Sequence, residues 1–311
     1  VDDLKGKVAL VTGASRGVGA ATAYALAEAG CDVACAARAT EASPQRTAGT
    51  LDETVRRVEA TGRRGLSIPT NLAVDDEVIA MVRTAHEHFG RLDILVNNAA
   101  ITFIGDLDIP LKRYDLVMQV NLRAPLIAIR EAAPLMAAHG GGTIINVSSE
   151  AALYPHASLL AYGISKIGLE RLTVDAARQL APSHISVNCF RIDVAVASEG
   201  FVANTPGADH SDWEPSEVAA EGIVWMARQP VTYSGRRESM LALRHREGIM
   251  ASRLAHPPTH VPRTELFDGL APAVGPDYFE EPYPDDPGDD AGSGAGEGAG
   301  SGAGNKAGEG R

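Results

Sequence analysis

Val8-Ala9-Leu10-Val11-Thr12-Gly13-Ala14-Ser15-Arg16-Gly17-Val18-Gly19 decides the fold. The first four residues are a short apolar run of the kind that makes a buried strand, and an alanine-rich segment from about Gly17 to Ala29 follows with helical character. Glycines in the turn between them allow tight turning and a close approach of backbone to a ligand. A helix entered through such a turn presents unpaired N–H groups and the positive end of its dipole. In doubly wound α/β folds, the group that takes that place is a nucleotide pyrophosphate. A glycine-rich turn is often only a turn; its position directly after a strand, at the start of the chain, selects the nucleotide reading.

Outward from this turn, strand and helix signals alternate over the first 250 residues. Strands are expected at Asp32–Ala37, Gly65–Pro69, Leu92–Asn97, Thr143–Ser148 and Ile185–Phe190. Helices are expected at Leu51–Ala60, Asp75–Phe89, Leu111–Ala138, Leu160–Leu180 and Pro215–Gln229, with a partly helical stretch from Arg236 to Arg253. Such alternation predicts a Rossmann-like, doubly wound parallel sheet covered on both faces, with right-handed crossovers. Residues 1–255 read as one domain. Residues 256–311 are Pro-rich, then acidic, then Gly/Ala-rich, a composition that buries too little apolar surface to offset chain entropy, so a disordered tail is expected. From Asp277 to Arg311 there are nine acids and two bases, −7 of the net −12.

That charge balance excludes a basic nucleic-acid footprint. No run of eighteen apolar residues is present, and the first residues carry no apolar leader. Cys31, Cys35 and Cys189 show neither metal-ligand spacing nor a disulfide framework. They read as small hydrophobes in a reducing cytoplasm, and no metal ligands are assigned.

The chemistry is signalled by Tyr162-Gly163-Ile164-Ser165-Lys166. A free phenol titrates near ~10 and is a poor base at neutral pH. Lys166, four residues on, shares the helix face with Tyr162, and an ammonium there favours the phenolate. A lone Tyr-x-x-x-Lys is common by chance. Here Ser149 stands thirteen residues upstream at the end of a strand, and Asn121 and Asn97-Asn98-Ala99-Ala100 precede it.

These residues, in this order and spacing, resemble the short-chain dehydrogenase/reductase superfamily in its single-domain form, over roughly residues 4 to 240. The resemblance implies that Tyr162 is the general acid/base and that Lys166 lowers its pKa and binds the nicotinamide ribose. Ser149 would hold the substrate oxygen, and Asn121, within the long helix, would place a water that links Lys166 to solvent. Taken singly, Ser149 also fits a strand-end cap and Asn121 a helix-bending residue. The cofactor would lie on Gly13, Ser15, Arg16, Gly17, Val18 and Gly19, with Asn71 and Leu72 near adenine and Asn98, Ala99 and Ala100 beside the ribose. Asn98 also fits a purely structural turn. Where an NAD enzyme carries an acid at the end of strand two, this chain reads Cys35-Ala36-Ala37-Arg38. Arg38, with Arg16 as a second cation, is suited to a 2′-phosphate, unless both are simply solvated. NADP(H) is therefore expected, with NAD(H) as second choice.

The chain departs from the family after strand six, where Ile192-Asp193 replaces the usual Pro-Gly and puts the shape of the loop from Val194 to Ser211 in question. Asp193 is expected to bond Arg191 or a loop amide, or alternatively to contact substrate. Tyr233-Ser234-Gly235 resembles the start of the last strand, without the usual Asp-Gly-Gly ending. Pocket candidates are Phe103, Glu150, Tyr154, His156, Leu159 and Phe201, with His156 read as an exposed loop residue. The resulting expectation is an NADP(H)-dependent oxidoreductase acting on a small carbonyl or alcohol, cytoplasmic, a homo-oligomer (dimer or tetramer) with no nucleic-acid or membrane partner. A non-catalytic nucleotide-binding regulator on the same fold is the alternative.

Overall fold

Alternate residues of the first strand go to opposite faces of the sheet. The computed structural model describes residues 4–205, 207 and 209–254 of the 311. In it Val8 and Leu10 of β1 (Val8–Thr12) pack on one face, and Ala9 and Val11 on the other. The remaining strands are β2 (Asp32–Ala37), β3 (Gly65–Pro69), β4 (Ile94–Asn97), β5 (Gly142–Ser149), β6 (Ile185–Ile192) and β7 (Arg237–Ser239). All pair in parallel, in the order β3-β2-β1-β4-β5-β6-β7. This is the doubly wound sheet expected, buried on both faces and therefore built from Val, Ile, Leu and Ala runs.

One face is covered by α1 (Gly17–Glu28) and α8 (Ser216–Ala227), which bury Leu26, Val218 and Ile223. The other is covered by α3 (Asp75–Phe89) and α5 (Ala124–Ala138), which bury Val78, Met81, Ala132 and Met136. The other helices are α2 (Leu51–Glu59), α4 (Leu111–Met118), α6 (Leu160–Leu180), α7 (Glu199–Asn204) and α9 (Met240–Glu247). A capping box starts α2: the Thr50 hydroxyl accepts from the Glu53 N–H, and the Glu53 carboxylate accepts from the Thr50 N–H.

Two expectations are corrected. The helix read as continuous from Leu111 to Ala138 is broken by a π-helical turn at Gln119–Arg123, which joins α4 to α5. The wider turn carries Asn121 into the interior, where it is fully buried. The last strand begins at Arg237, after the Tyr233-Ser234-Gly235 run. The Asn188 side chain reinforces the approach to it: its amide donates to the Tyr233 carbonyl at 2.7 Å and its oxygen accepts from the Arg236 N–H at 3.0 Å, beside the backbone bond from Gly235 N–H to the Val187 carbonyl. The tail expected from residue 256 lies outside the described residues.

Candidate active site

The strand order reverses between β1 and β4, and the ends of β1, β4 and β5 open on one edge of the sheet. At that edge Thr12 joins the two halves. Its hydroxyl donates to the Val96 carbonyl and accepts from the N–H groups of Asn98 (3.0 Å) and Ala99 (3.1 Å). The Asn98 amide donates to the Thr12 carbonyl at 2.9 Å. Asn98 thus clamps the glycine turn, a role compatible with either of its two readings.

The turn itself has no room for side chains. A Cβ on Gly19 would stand 2.3 Å from the Gly13 carbonyl oxygen and 2.5 Å from the Asn98 amide. Gly13 takes φ +69, and a Cβ there would meet the Ala99 backbone at 2.9 Å. The residue before α1, Arg16, is extended, and its side chain makes no cap, so the first-turn N–H groups are left for another acceptor. The Arg16 Nε is buried without a partner. These features fit a bound pyrophosphate. Gly19→Ala is expected to abolish nucleotide binding and to cost about 1–3 kcal/mol of stability by overpacking; nucleotide titration and denaturant melts measure the two effects.

Arg38 is exposed just past β2 and Arg16 is half-buried beside it. Burial lowers the Arg16 pKa, Glu199 opposes that shift, and the Arg38 cation adds to it. Two guanidiniums therefore share one region, with no acid at the end of β2. Asn71 forms a turn of its own, its side-chain oxygen accepting from the Ala73 N–H at 3.2 Å; its amide nitrogen is the group left to offer a ligand. Leu72 is partly buried against the core.

Ser149 ends β5, and its hydroxyl stands near that of Tyr162 on α6, where it favours the phenolate. It also accepts from the Ala151 N–H at 3.3 Å, so the strand-end cap and the pairing with Tyr162 coexist. Lys166 is buried, donates to the Val147 carbonyl at 2.8 Å, and holds its ammonium 5.4 Å from the Tyr162 ring centroid. Burial lowers Lys166 to about 8, with Cys189 and Glu170 opposing the shift. For Tyr162 the direction differs from the sequence expectation. Burial raises the phenol above its ordinary value and the Ser149 hydroxyl opposes the rise, so desolvation outweighs stabilisation of the phenolate.

Asn121 joins this group through its side chain. Its amide donates to Ser165 Oγ at 3.0 Å and to the Ile101 carbonyl at 2.9 Å, and its oxygen accepts from the Ile101 N–H at 2.8 Å. Ser165 Oγ in turn donates to the Tyr162 carbonyl at 2.7 Å. Ser165 is a positioning residue that sequence reading passed over. Its only signal was a hydroxyl three residues after Tyr162, a spacing at which a serine can bond back to its own helix. Gly163 was also missed: a Cβ there would meet the Ala151 carbonyl at 2.8 Å, so glycine lets α6 lie against the turn that follows Ser149.

The walls come from three loops. Leu159 bridges Gly105, and the Ser158 N–H donates to Asp106 at 2.8 Å, tying the loop after β4 to the loop before α6. Phe103 lies under Arg113, with the guanidinium 5.4 Å from its centroid. Glu150 and Tyr154 are partly buried, whereas His156 is exposed. Phe201 of α7 stacks at 5.1 Å on Trp213, and Ser198 and Glu199 sit against Gly17. Past β6, Asp193 accepts from the Ser239 hydroxyl and from the Leu241 N–H in the first turn of α9, a helix terminus where a loop amide was expected. It thereby secures the start of α9. Val196 bridges Glu214, so the segment without Pro-Gly is held by backbone pairing. Among the described residues no helix is long and apolar enough to cross a membrane.

The model of the short chain dehydrogenase family matches residues 7–197, and the chain belongs to that family. An uncharacterized oxidoreductase of Thermotoga maritima is 38% identical over 188 residues, covering 59% of this chain and 69% of the relative. Hydroxysteroid dehydrogenase-like protein 2 of Homo sapiens is 29% identical over 290 residues, 91% of this chain but 65% of the relative. The chain thus spans about two thirds of these relatives. Among solved structures, a blue fluorescent protein from a metagenomic library in complex with NADPH has a TM-score of 0.68 and 31% identity, covering 76% of this chain and 97% of its own. A Mycobacterium paratuberculosis short chain dehydrogenase bound to NAD has a TM-score of 0.67 and 25% identity, with the same coverages.

Proposed function

We propose that the chain is an NADP(H)-dependent oxidoreductase that interconverts a ketone or aldehyde with an alcohol, Tyr162 acting as general acid/base. One observation carries this reading: the Ser149–Tyr162 hydroxyl pair, with the buried Lys166 ammonium beside the tyrosine ring, on the sheet edge where the glycine cradle opens. A bound nicotinamide supplies or accepts the hydride. The chain's own residues do the rest. Ser149 holds the substrate oxygen. Tyr162 gives that oxygen a proton in reduction and takes one in oxidation. Lys166 lends its charge to the phenolate form and a donor to the nicotinamide ribose. Asn121, its side chain spent on Ile101 and Ser165, has its backbone carbonyl to offer a water.

Gly13, Ser15, Gly17, Val18 and Gly19 would hold the pyrophosphate, the Asn71 amide and Leu72 the adenine, and Ala99 and Ala100 the ribose edge. One solved neighbour is bound to NADPH and another to NAD, so the preference rests on Arg16 and Arg38. Arg38→Asp is expected to move the ratio of kcat/KM for NADP over NAD toward NAD by about tenfold to a hundredfold, the worth of a charge-assisted bond. An unchanged ratio would remove Arg38 from the cofactor site. The protein is read as a cytoplasmic homo-oligomer. The deciding experiment screens ketones and aldehydes with NADPH and NADH, and alcohols with the oxidised forms, following nicotinamide absorbance. Turnover of any carbonyl supports the proposal; tight cofactor binding without turnover across the panel supports a regulator on the same fold.

A further inference from the structure

The C-terminal ends of α3 and α5 meet at the edge of the sheet opposite the active site. His86, in the last turn of α3, and His139, directly after α5, are 53 residues apart in sequence, and the fold brings their Nε2 atoms to 3.3 Å. The rings are 5.5 Å apart between centroids and inclined at 47°. His139 is exposed and His86 partly so. The Arg83–Glu131 ion pair, at 2.9 Å, joins the same two helices and holds their separation.

The nitrogen separation has a specific chemical meaning. Two Zn–N bonds of about 2.0–2.1 Å meeting at a tetrahedral angle set their nitrogens about 3.3–3.4 Å apart. Both histidines stand at helix C-termini, where carbonyls and the negative end of the dipole favour a cation. His139 also lines a cavity with Lys7, Arg91, Asp93 and His184. Arg91 is bridged to Asp93 at 2.6 Å, which offsets most of its repulsion. Among the described residues no group of three or more histidines, cysteines and carboxylates gathers to hold a metal, so waters would complete the coordination.

We propose that His86 and His139 form a two-histidine site for a divalent transition metal, zinc by geometry, which clamps the end of α3 to the end of α5. Imidazole ligands suit Zn²⁺, Ni²⁺ or Cu²⁺, whereas Mg²⁺ and Ca²⁺ take oxygen. Because the active site lies at the other edge of the sheet, the metal stabilises the fold and leaves turnover alone.

The same contact suits a hydrogen bond between two neutral imidazoles, and metal titration separates the two. The full chain, free of any affinity tag and stripped with chelator, is titrated calorimetrically with ZnCl₂ at neutral pH and melted with and without the metal. The expected result is one Zn²⁺ per chain at this site and a rise in Tm that MgCl₂ does not reproduce. His86→Ala and His139→Ala should each weaken this binding by at least the roughly 10–100-fold that losing a supporting group costs, and remove the rise in Tm. His88→Ala, which alters the neighbouring ring packed edge-on against Phe89, should retain both. Zinc binding that survives intact in either His86→Ala or His139→Ala overturns the site, as does a native chain that takes up Zn²⁺ no better than Mg²⁺.

Discussion

Tyr162→Phe is expected to lower turnover by about 10²–10⁴, the range spanned by a positioned general acid or base. The substitution removes one oxygen and leaves the ring against Lys166. The fold should lose no more than the roughly 0.5–1.5 kcal/mol of a single hydrogen bond, with Ser149 the nearby partner. Nucleotide affinity should change little, because the glycine cradle, Arg16 and Arg38 are untouched. Single-turnover and steady-state rates with the best carbonyl from the panel, set beside a nucleotide titration, measure the split. A loss below about tenfold would take the proton-transfer role away from Tyr162, since acid–base catalysis contributes at least ~10².

The electrostatics of the site give the same prediction a pH dependence. Burial keeps the Tyr162 phenol protonated through neutral pH, so the group is charged with a proton for carbonyl reduction. Reduction should therefore be flat around neutrality and fall at alkaline pH. Oxidation, which needs the phenolate, should rise with pH. Lys166 titrates at about 8, so its charge is lost before the raised Tyr162 phenol gives up its proton. Tyr162→Phe should flatten both limbs; limbs that persist in the variant belong to another group.

Most of this architecture was legible because it depends on patterns with a fixed period. Val8 to Val11, Asp32 to Ala37 and Gly65 to Pro69 could be read as strands because each is short, bounded by turn residues and followed by a helical stretch. Tyr162 and Lys166 could be paired because four residues is one helical turn. The illegible features depend on contacts across the fold. The π turn at Gln119–Arg123 leaves the apolar pattern of a long helix almost unchanged, and its meaning lies in Asn121 meeting Ile101 and Ser165. The start of β7 at Arg237 could not be read because the preceding residues are held by the Asn188 side chain as well as by backbone bonds at Gly235 and Arg236. The direction of the Tyr162 shift required knowing its desolvation, which the helical spacing to Lys166 does not reveal.

Arg191 gives the sharpest case of a contact that sequence does not announce, and breaking it should be among the costliest changes to stability. Its guanidinium and the Glu170 carboxylate are paired by two bonds, at 2.7 and 2.8 Å, with side chains only 4% and 0% exposed. Glu170 lies one turn beyond Lys166 on α6, and Arg191 lies opposite Ser148 in the ladder of β5 with β6. The pair fastens the catalytic helix to the catalytic end of the sheet. Glu170→Leu strands a buried guanidinium and Arg191→Met strands a buried carboxylate. Each should cost about 3–5 kcal/mol, the penalty of an uncompensated buried charge. The double variant Glu170→Leu/Arg191→Met removes both charges and should recover most of that loss, because apolar groups of similar volume often replace a buried pair at little cost. Denaturant unfolding of the two singles and the double measures the coupling. Singles that lose under about 1 kcal/mol would mean that water reaches the pair. The recovered double should still differ in the charge of its site: Glu170 opposes the burial-driven fall in the Lys166 pKa, so without it Lys166 should lose its proton at lower pH. Restored stability with an alkaline loss of reductase activity that does not move to lower pH, since a neutral Lys166 no longer favours the phenolate, is the expected result. A double variant no more stable than the singles would mean that the pair's role is packing at that junction and not compensation of charge.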